Sequence, residues 1–210
     1  MTPIFRTSRS ACRNVAAALA VSLILFFASG CMVSKPVSPR SDGWAKAVSV
    51  KGVPNLHKVT DNLYRSAQPT GEGFHNLAKM GIRTVINLSA NSSDRKLVKG
   101  TGLSLVEIPI PDIRPTSPQV VRLIKIITDK TRCPVLIHCR YGADRTGAMI
   151  AACRVVVEGW SKEEAIKEMT GGGYGYHVIW TNLISFVRNL DVIELRAATA
   201  PAQASPATEY

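Results

Sequence analysis

Cys139 and Arg145 are separated by five residues in the stretch His138-Cys139-Arg140-Tyr141-Gly142-Ala143-Asp144-Arg145-Thr146-Gly147. A cysteine at a helix N-terminus beside a guanidinium favours its thiolate form, and a thiolate is a nucleophile. The stretch follows the apolar run Pro134-Val135-Leu136-Ile137 and opens a helix, which is the setting that an anion-binding loop requires. In such a loop the backbone N–H groups of Arg140, Tyr141, Gly142, Ala143, Asp144 and Arg145 turn inward and form a nest for phosphate oxygens. Gly142 permits the tight turn and Gly147 a close approach of the helix. Arg145 offers a planar fork that grips two oxygens. Thr146 can donate its hydroxyl to the Cys139 sulfur and improve it as a leaving group, and His138 fixes the loop from behind. The chemistry implied is attack on a phosphoryl group through a phosphocysteine. On average composition such a motif arises by chance on the order of once per million chains of this size. No Lys-Ser/Thr pair follows a glycine there, which excludes a nucleotide P-loop. The four histidines (His57, His75, His138, His177) show no metal-ligand spacing, so neither a metal nor another cofactor is expected.

The elements that must position this loop alternate along the chain. Leu63 to Arg65 predicts a short strand, Gly71 to Met80 a helix stopped by Gly81, and Thr84 to Leu88 a strand. Asp94 to Gly100 reads as a basic helix or loop, and Leu103 to Ile110 as a further strand. Pro111 to Thr116 form a loop, after which Ser117-Pro118 start a helix with Val120, Val121, Ile124 and Ile127 on its apolar face. Pro134 to Ile137 fits a strand buried on both faces. Helices over Arg145–Gly159, Lys162–Met169 and Val178–Leu190 complete an α/β domain with a central, mostly parallel sheet flanked by helices.

With these stretches in view, the chain resembles the protein tyrosine/dual-specificity phosphatases, in particular their compact bacterial exported branch. Beside His138–Gly147, the resemblance rests on Leu63-Tyr64-Arg65-Ser66-Ala67-Gln68-Pro69, Gly159-Trp160-Ser161 and Gly173-Tyr174-Gly175-Tyr176-His177, and it covers about residues 55 to 195. It implies a phosphoric monoester hydrolase of the dual-specificity type acting on phosphorylated proteins, a membrane signalling protein among them. It also implies a proton donor for the departing oxygen on the loop between a strand and the next helix. Pro109-Ile110-Pro111-Asp112-Ile113-Arg114-Pro115 occupies that place, so Asp112 is the expected acid. Asp144 is the rival. A carboxylate facing a phosphate dianion is repelled, however, which turns Asp144 outward as a structural partner. Arg95, Lys96, Lys99 and Arg114 are candidates for substrate contact, and Gly171 to Tyr176 for either a flexible rim or a loop anchored by aromatics. An inositol-phosphate or phosphoinositide phosphatase is the alternative activity, favoured by Asp144 and the basic charge. A non-enzymatic phosphate-binding module would be expected to lack Cys139, Arg145 or Asp112, and all three are present.

The 210 residues hold one domain with appendages, and Lys plus Arg exceed Asp plus Glu by 26 to 15, giving +11. The basic residues are scattered without an aromatic-interleaved stripe, which excludes nucleic acid as the expected partner and suits phosphorylated ligands. Arg6, Arg9 and Arg13 precede an apolar run from Val15 to Ala28, the pattern of an export signal. Ala28-Ser29-Gly30-Cys31 resembles a lipobox in which Cys31 is lipidated, but it also fits ordinary cleavage, and Asn14 to Ser34 is long enough for an uncleaved anchor. All three readings predict a domain outside the cytoplasm, periplasmic and attached to the membrane in two of them, acting as a monomer. The expected boundaries are 1–31 leader, 32–52 linker, 53–196 catalytic domain and 197–210 disordered tail. Cys133, Cys139 and Cys153 fall too far apart on this layout for a disulfide, so Cys133 and Cys153 are read as buried apolar residues.

Overall fold

The computed structural model describes residues 41–200; the leader with Cys31, the first part of the linker and residues 201–210 lie outside the described residues. Six strands form one sheet: β1 (Lys46–Ala47), β2 (His57–Thr60), β3 (Leu63–Ser66), β4 (Thr84–Asn87), β5 (Ser104–Glu107) and β6 (Val135–His138), in the order β1-β2-β3-β6-β4-β5. The β1-β2-β3 edge is antiparallel, whereas β3, β6, β4 and β5 run parallel. The helices are α1 (Gly71–Lys79), α2 (Ser117–Thr128), α3 (Asp144–Val156), α4 (Lys162–Gly171), α5 (Thr181–Arg188) and α6 (Val192–Thr199).

β6 is the central strand, and all four of its residues are buried. Alternation along it divides the core. Val135 and Ile137 join the cluster built with Val120, Leu123 and Ile124 of α2 and with Met149 of α3. Leu136 faces the other way and joins Phe74 and Leu77 of α1. Both faces of the sheet are therefore covered, as the continuous apolar run predicts. α3 is buried almost all round, since every residue from Asp144 to Val156 except Arg145 is enclosed.

Several boundaries differ from the sequence expectation, and β1, β2 and α6 are elements it did not include. The linker expected over 32–52 is folded from Gly43 onward, because a buried acid–base pair captures it. Ala45 N–H donates to Glu168 Oε1 at 2.7 Å, Arg154 Nη2 donates to Gly43 O at 3.0 Å, and β1 pairs with β2. The tail expected from Ala197 begins no earlier than the end of α6. Asp191 caps that helix by accepting from Glu194 N–H at 2.9 Å, Leu195 is buried in the core, and Arg196 Nε reaches Val156 O at 2.9 Å. Asp94 to Gly100 form turns, and α5 starts at Thr181, three residues after the expected Val178.

Candidate active site

The loop after β6 begins at Cys139 and ends in the first turn of α3, placing the cysteine at the carboxyl end of the central parallel strand and at a helix N-terminus. The N–H groups of residues 140–143 make no hydrogen bond to any described residue. Four orphaned donors around one buried sulfur form an anion cradle. Gly142 is indispensable to its shape. Its φ is +68°, and a Cβ there would lie 2.4 Å from Ser66 C and O. Gly147 allows α4 to approach α3, since a Cβ would meet Met169 Cγ at 3.0 Å. Arg145 is half-buried and, with Arg140, lines a cavity of about 430 Å³ bounded by Gln68, Ser89, Asn91, Ser92, Ser93, Asp94 and Leu97. No carboxylate among the described residues pairs with Arg145, so its fork is available to an oxyanion. Tyr141 is exposed at the mouth, 5.7 Å ring to ring from His177 and beneath the Arg140 guanidinium at 5.4 Å.

Asp144 points away from the cradle, as charge repulsion predicts. It accepts from His177 N–H at 2.9 Å, and the His177 ring nitrogen Nδ1 lies 2.9 Å from its second oxygen. His138 is fully buried, with Nε2 2.9 Å from Asp94 Oδ2, a charge contact that lacks hydrogen-bond geometry. Thr146 departs from expectation. Its Oγ1 is buried without a hydrogen-bond partner, so the bond to the Cys139 sulfur is not made. Asp112 is exposed on a short 3-10 turn (Pro111–Ile113), with φ +50° at Asp112 and +53° at Ile113. Two successive non-glycine residues in the left-handed region store strain of about 1–3 kcal/mol each. The turn is held by Asn182 Nδ2 donating to Ile113 O at 2.8 Å and by Gln119 Nε2 donating to Pro109 O at 2.7 Å. Asp112 does not line the cavity. Arg95 is exposed and pairs with Glu107 at 2.9 Å. Cys133 and Cys153 are free and buried, and burial pushes both thiols up.

Residues 46–175 match the family model described as DSP-PTPase phosphatase fused to NAD+ kinase. The chain belongs to the DSP-PTPase phosphatases. It is 33% identical over 174 residues to the dual specificity protein phosphatase TpbA of Pseudomonas aeruginosa (strain UCBPP-PA14), spanning 82% of this chain and 78% of that protein. The crystal structure of a cysteine-to-serine variant of P. aeruginosa TpbA in complex with phosphotyrosine has a TM-score of 0.68 at 31% identity, covering 76% of this chain and 98% of that one. The inositol diphosphatase DSP3 of Arabidopsis thaliana is 26% identical over 151 residues, 68% of this chain and 72% of that protein.

In this phosphatase several supporting residues escape sequence reasoning. Asp94 is buried between His138 and Gln68, whose Nε2 donates to its Oδ1 at 2.6 Å, and Gln68 N–H in turn donates to Arg140 O at 3.2 Å. Gln68, just after β3, thereby links Asp94 to the loop. The only signal for Asp94 was an acid amid Arg95, Lys96 and Lys99. Arg65 lies within the Tyr64-Arg65-Ser66 stretch that carried the resemblance, and it proves to be wholly buried beneath the loop. Its Nη2 donates to Gly142 O at 2.7 Å. His177 directly follows the stretch Gly171 to Tyr176, which is anchored by aromatics. Tyr174 is buried, and Tyr176 Oη donates to Trp180 O.

Proposed function

We propose that this phosphatase is an exported enzyme that hydrolyses phosphotyrosine in proteins, with phosphoserine and phosphothreonine as further substrates, through a phosphocysteine on Cys139. The observation that carries the reading is the set of unengaged N–H groups that follow a buried cysteine at the start of α3. The cradle and Arg145 hold the three equatorial oxygens, and the Cys139 thiolate displaces the leaving group. Asp112 gives its proton to the departing oxygen. Water then hydrolyses the phosphocysteine and frees the cysteine. Two observations support Asp112 over Asp144: both Asp144 oxygens face His177, and Asp112 sits alone on a strained turn after β5. The TpbA complex with phosphotyrosine supports the substrate class. Turnover of an aryl phosphate by the wild type that vanadate inhibits and Cys139→Ser abolishes tests the nucleophile, and an inert wild type overturns it. Asp112→Asn should slow poor leaving groups far more than good ones. If Asp144→Asn does so instead, the acid is misassigned.

A second activity, on inositol phosphates, draws support from the inositol diphosphatase relative and from the neutral polar cavity wall of Ser89, Asn91, Ser92 and Ser93 beside Arg140 and Arg145. Comparing kcat/KM on phosphotyrosine peptides with kcat/KM on inositol phosphates separates the two. The location proposed is the periplasmic side of a membrane, with attachment through a lipid on Cys31 or an uncleaved N-terminal anchor. Its support is the Arg6, Arg9, Arg13 segment and the apolar run that follows. Fractionation of wild type and Cys31→Ala tests it. Release of the variant into the soluble periplasm supports lipidation, retention supports the anchor, and a cytoplasmic wild type overturns export.

A further inference from the structure

The turn that leads into α5 breaks two local rules at once. Trp180 N–H donates to His177 O at 3.0 Å, closing a four-residue turn with Val178 and Ile179 at its two central positions. Such positions favour Gly, Pro, Asn, Asp or Ser, whereas β-branched aliphatic side chains belong in strands and cores. Burial is contradicted as well. Val178 is 85% exposed and Ile179 75%, while the flanking aromatics Tyr176 and Trp180 pack against the core. A lone exposed apolar residue is ordinary, but two in succession at the tip of a turn mark a place where local consistency has yielded to function. The turn is also firmly held. His177 N–H donates to Asp144 Oδ1 at 2.9 Å, which ties its start to the phosphate loop. Trp180 O, at its end, accepts from Tyr176 Oη and, at 3.0 Å, from the N–H of the buried Leu183. Two residues further on, Asn182 Nδ2 donates to Ile113 O at 2.8 Å, on the turn that carries Asp112. Val178 and Ile179 are thus carried by a segment fastened on one side to the loop after Cys139 and on the other to the Asp112 turn. Tyr141, exposed at the mouth and 5.7 Å ring to ring from His177, continues the same rim.

We propose that Val178 and Ile179 are specificity-determining residues, a preformed apolar contact for a hydrophobic side chain that flanks the phosphotyrosine in the substrate protein. The inference rests on the reading of the chain as a phosphatase of phosphotyrosine in proteins. An apolar contact that is already clamped in place binds its complement without first having to be ordered. Position selects the occupant, because a phosphoryl group held in the cradle delivers the neighbouring residues of its own polypeptide to the surrounding rim. A second copy of this chain is not favoured: two aliphatic side chains and a tyrosine ring fall far short of the roughly 1,200 Å² that a stable protein–protein interface buries. A lipid surface is the competing occupant. Since the turn is fastened to both the phosphate loop and the Asp112 turn, sinking it into a bilayer would press the catalytic mouth against the membrane, and a protein segment reaches it without that closure.

The test uses the full chain and two phosphotyrosine peptides that differ only in the two residues on each side of the phosphotyrosine, leucine in one and serine in the other. The quantity read is the ratio of their kcat/KM values within each protein, so that any general loss of activity or of folded protein cancels. Wild type should favour the leucine peptide about tenfold, the lower end of what an apolar contact discriminates, and the difference should lie in KM. The double change Val178→Ser, Ile179→Ser should bring the ratio close to one. Ile179→Lys should shift selectivity toward a third peptide with glutamate at the same positions. A wild-type ratio near one overturns the proposal, as does a ratio that the double variant leaves unchanged. Should the double variant fail to fold, Ile179→Lys decides alone: movement toward the glutamate peptide supports the contact, and wild-type selectivity overturns it. Sedimentation of each protein with vesicles of phosphatidylethanolamine and phosphatidylglycerol reads the lipid alternative. Weaker sedimentation of the double variant with an unchanged peptide ratio assigns the turn to lipid and overturns the proposal. Turnover of an aryl phosphate with none of any peptide overturns the protein-phosphatase reading, and this inference with it, a result distinct from a ratio of one.

Discussion

Gly142→Ala should damage both the catalytic loop and the stability of the domain, by amounts that the local geometry sets. At φ +68° a Cβ costs about 1 kcal/mol of backbone strain. The larger effect is contact. The new methyl would lie 2.4 Å from Ser66 C and O and 2.5 Å from Ala67 N, all of them backbone atoms that cannot rotate aside. Restoring ordinary separation requires the loop to retreat by about 1 Å, and a displacement of that size at reacting groups costs on the order of 100-fold in rate. Strain and overpacking together amount to about 2–4 kcal/mol, a fall in Tm of roughly 5–12 °C for a domain of this size. Gly81→Ala is the matched control. Its φ is +91°, yet nothing lies within 4 Å of a Cβ there, so only the backbone cost of about 1 kcal/mol applies and kcat/KM should not change. The assay is kcat/KM on an aryl phosphate beside thermal unfolding of each variant. Retention of kcat/KM within threefold by Gly142→Ala would refute the reasoning, as would an equal loss of activity in Gly81→Ala.

His177→Ala removes the ring that faces Asp144 and leaves only the backbone N–H. KM for aryl phosphate should rise about threefold to tenfold with kcat little changed, and Asp144→Asn in the same chain should recover part of the loss; simple additivity of the two changes would count against the clamp. Glu168→Gln breaks a buried two-pronged pair with Arg154 and should cost about 3–5 kcal/mol, seen as a Tm lower by roughly 6–15 °C; a change below 2 °C would contradict that weight. Arg65→Met should be no less stable than wild type at neutral pH, because burial of the native cation opposes folding there. The sign follows from the lowered guanidinium. Above about 10 the folded chain has released a proton that the unfolded chain still holds, so wild-type stability gains relative to Arg65→Met as pH climbs past that value. Denaturant unfolding of both proteins from pH 9 upward checks this, and a constant difference would contradict it.

What the sequence made legible is confined to short range. Cys139, Gly142 and Arg145 lie within one loop whose function is carried largely by backbone N–H groups, so spacing alone implies the cradle. Asp144 could be turned outward on charge alone, although its actual partner, His177, comes from the far side of α4. The burial of β6 followed from its unbroken apolar run. What stayed hidden depends on single contacts across long stretches of chain. Asp94 acquires meaning only from His138, Arg65 only from Gly142, and Ala45 only from Glu168. A charged residue that is destined for burial has no local signature that distinguishes it from a solvated one. That is why the folded linker and Asp94 escape a reading of the sequence, whereas α1 to α5 are legible to within a few residues and α6 is not. The hydroxyl of Thr146, expected from loop chemistry to donate to the Cys139 sulfur, is buried without a hydrogen-bond partner.

The two buried guanidiniums illustrate why the hidden part matters for function. Arg154 is matched: Glu168 grips it with both oxygens, Glu158 adds a third contact at 2.6 Å, and the Trp160 ring lies beneath it at 4.2 Å. It holds Gly43, α3 and α4 together and needs nothing further. Arg65 is left with an aromatic face and two carbonyl oxygens. Burial pulls its guanidinium down to about 10, because enclosing an unpaired cation is unfavourable. A well-packed apolar side chain would avoid that cost. The same interior could have paired Arg65 as it pairs Arg154, but a carboxylate beneath the loop would repel the phosphate dianion. An unpaired cation is the arrangement that leaves the attraction for an anion arriving from the other side of the loop.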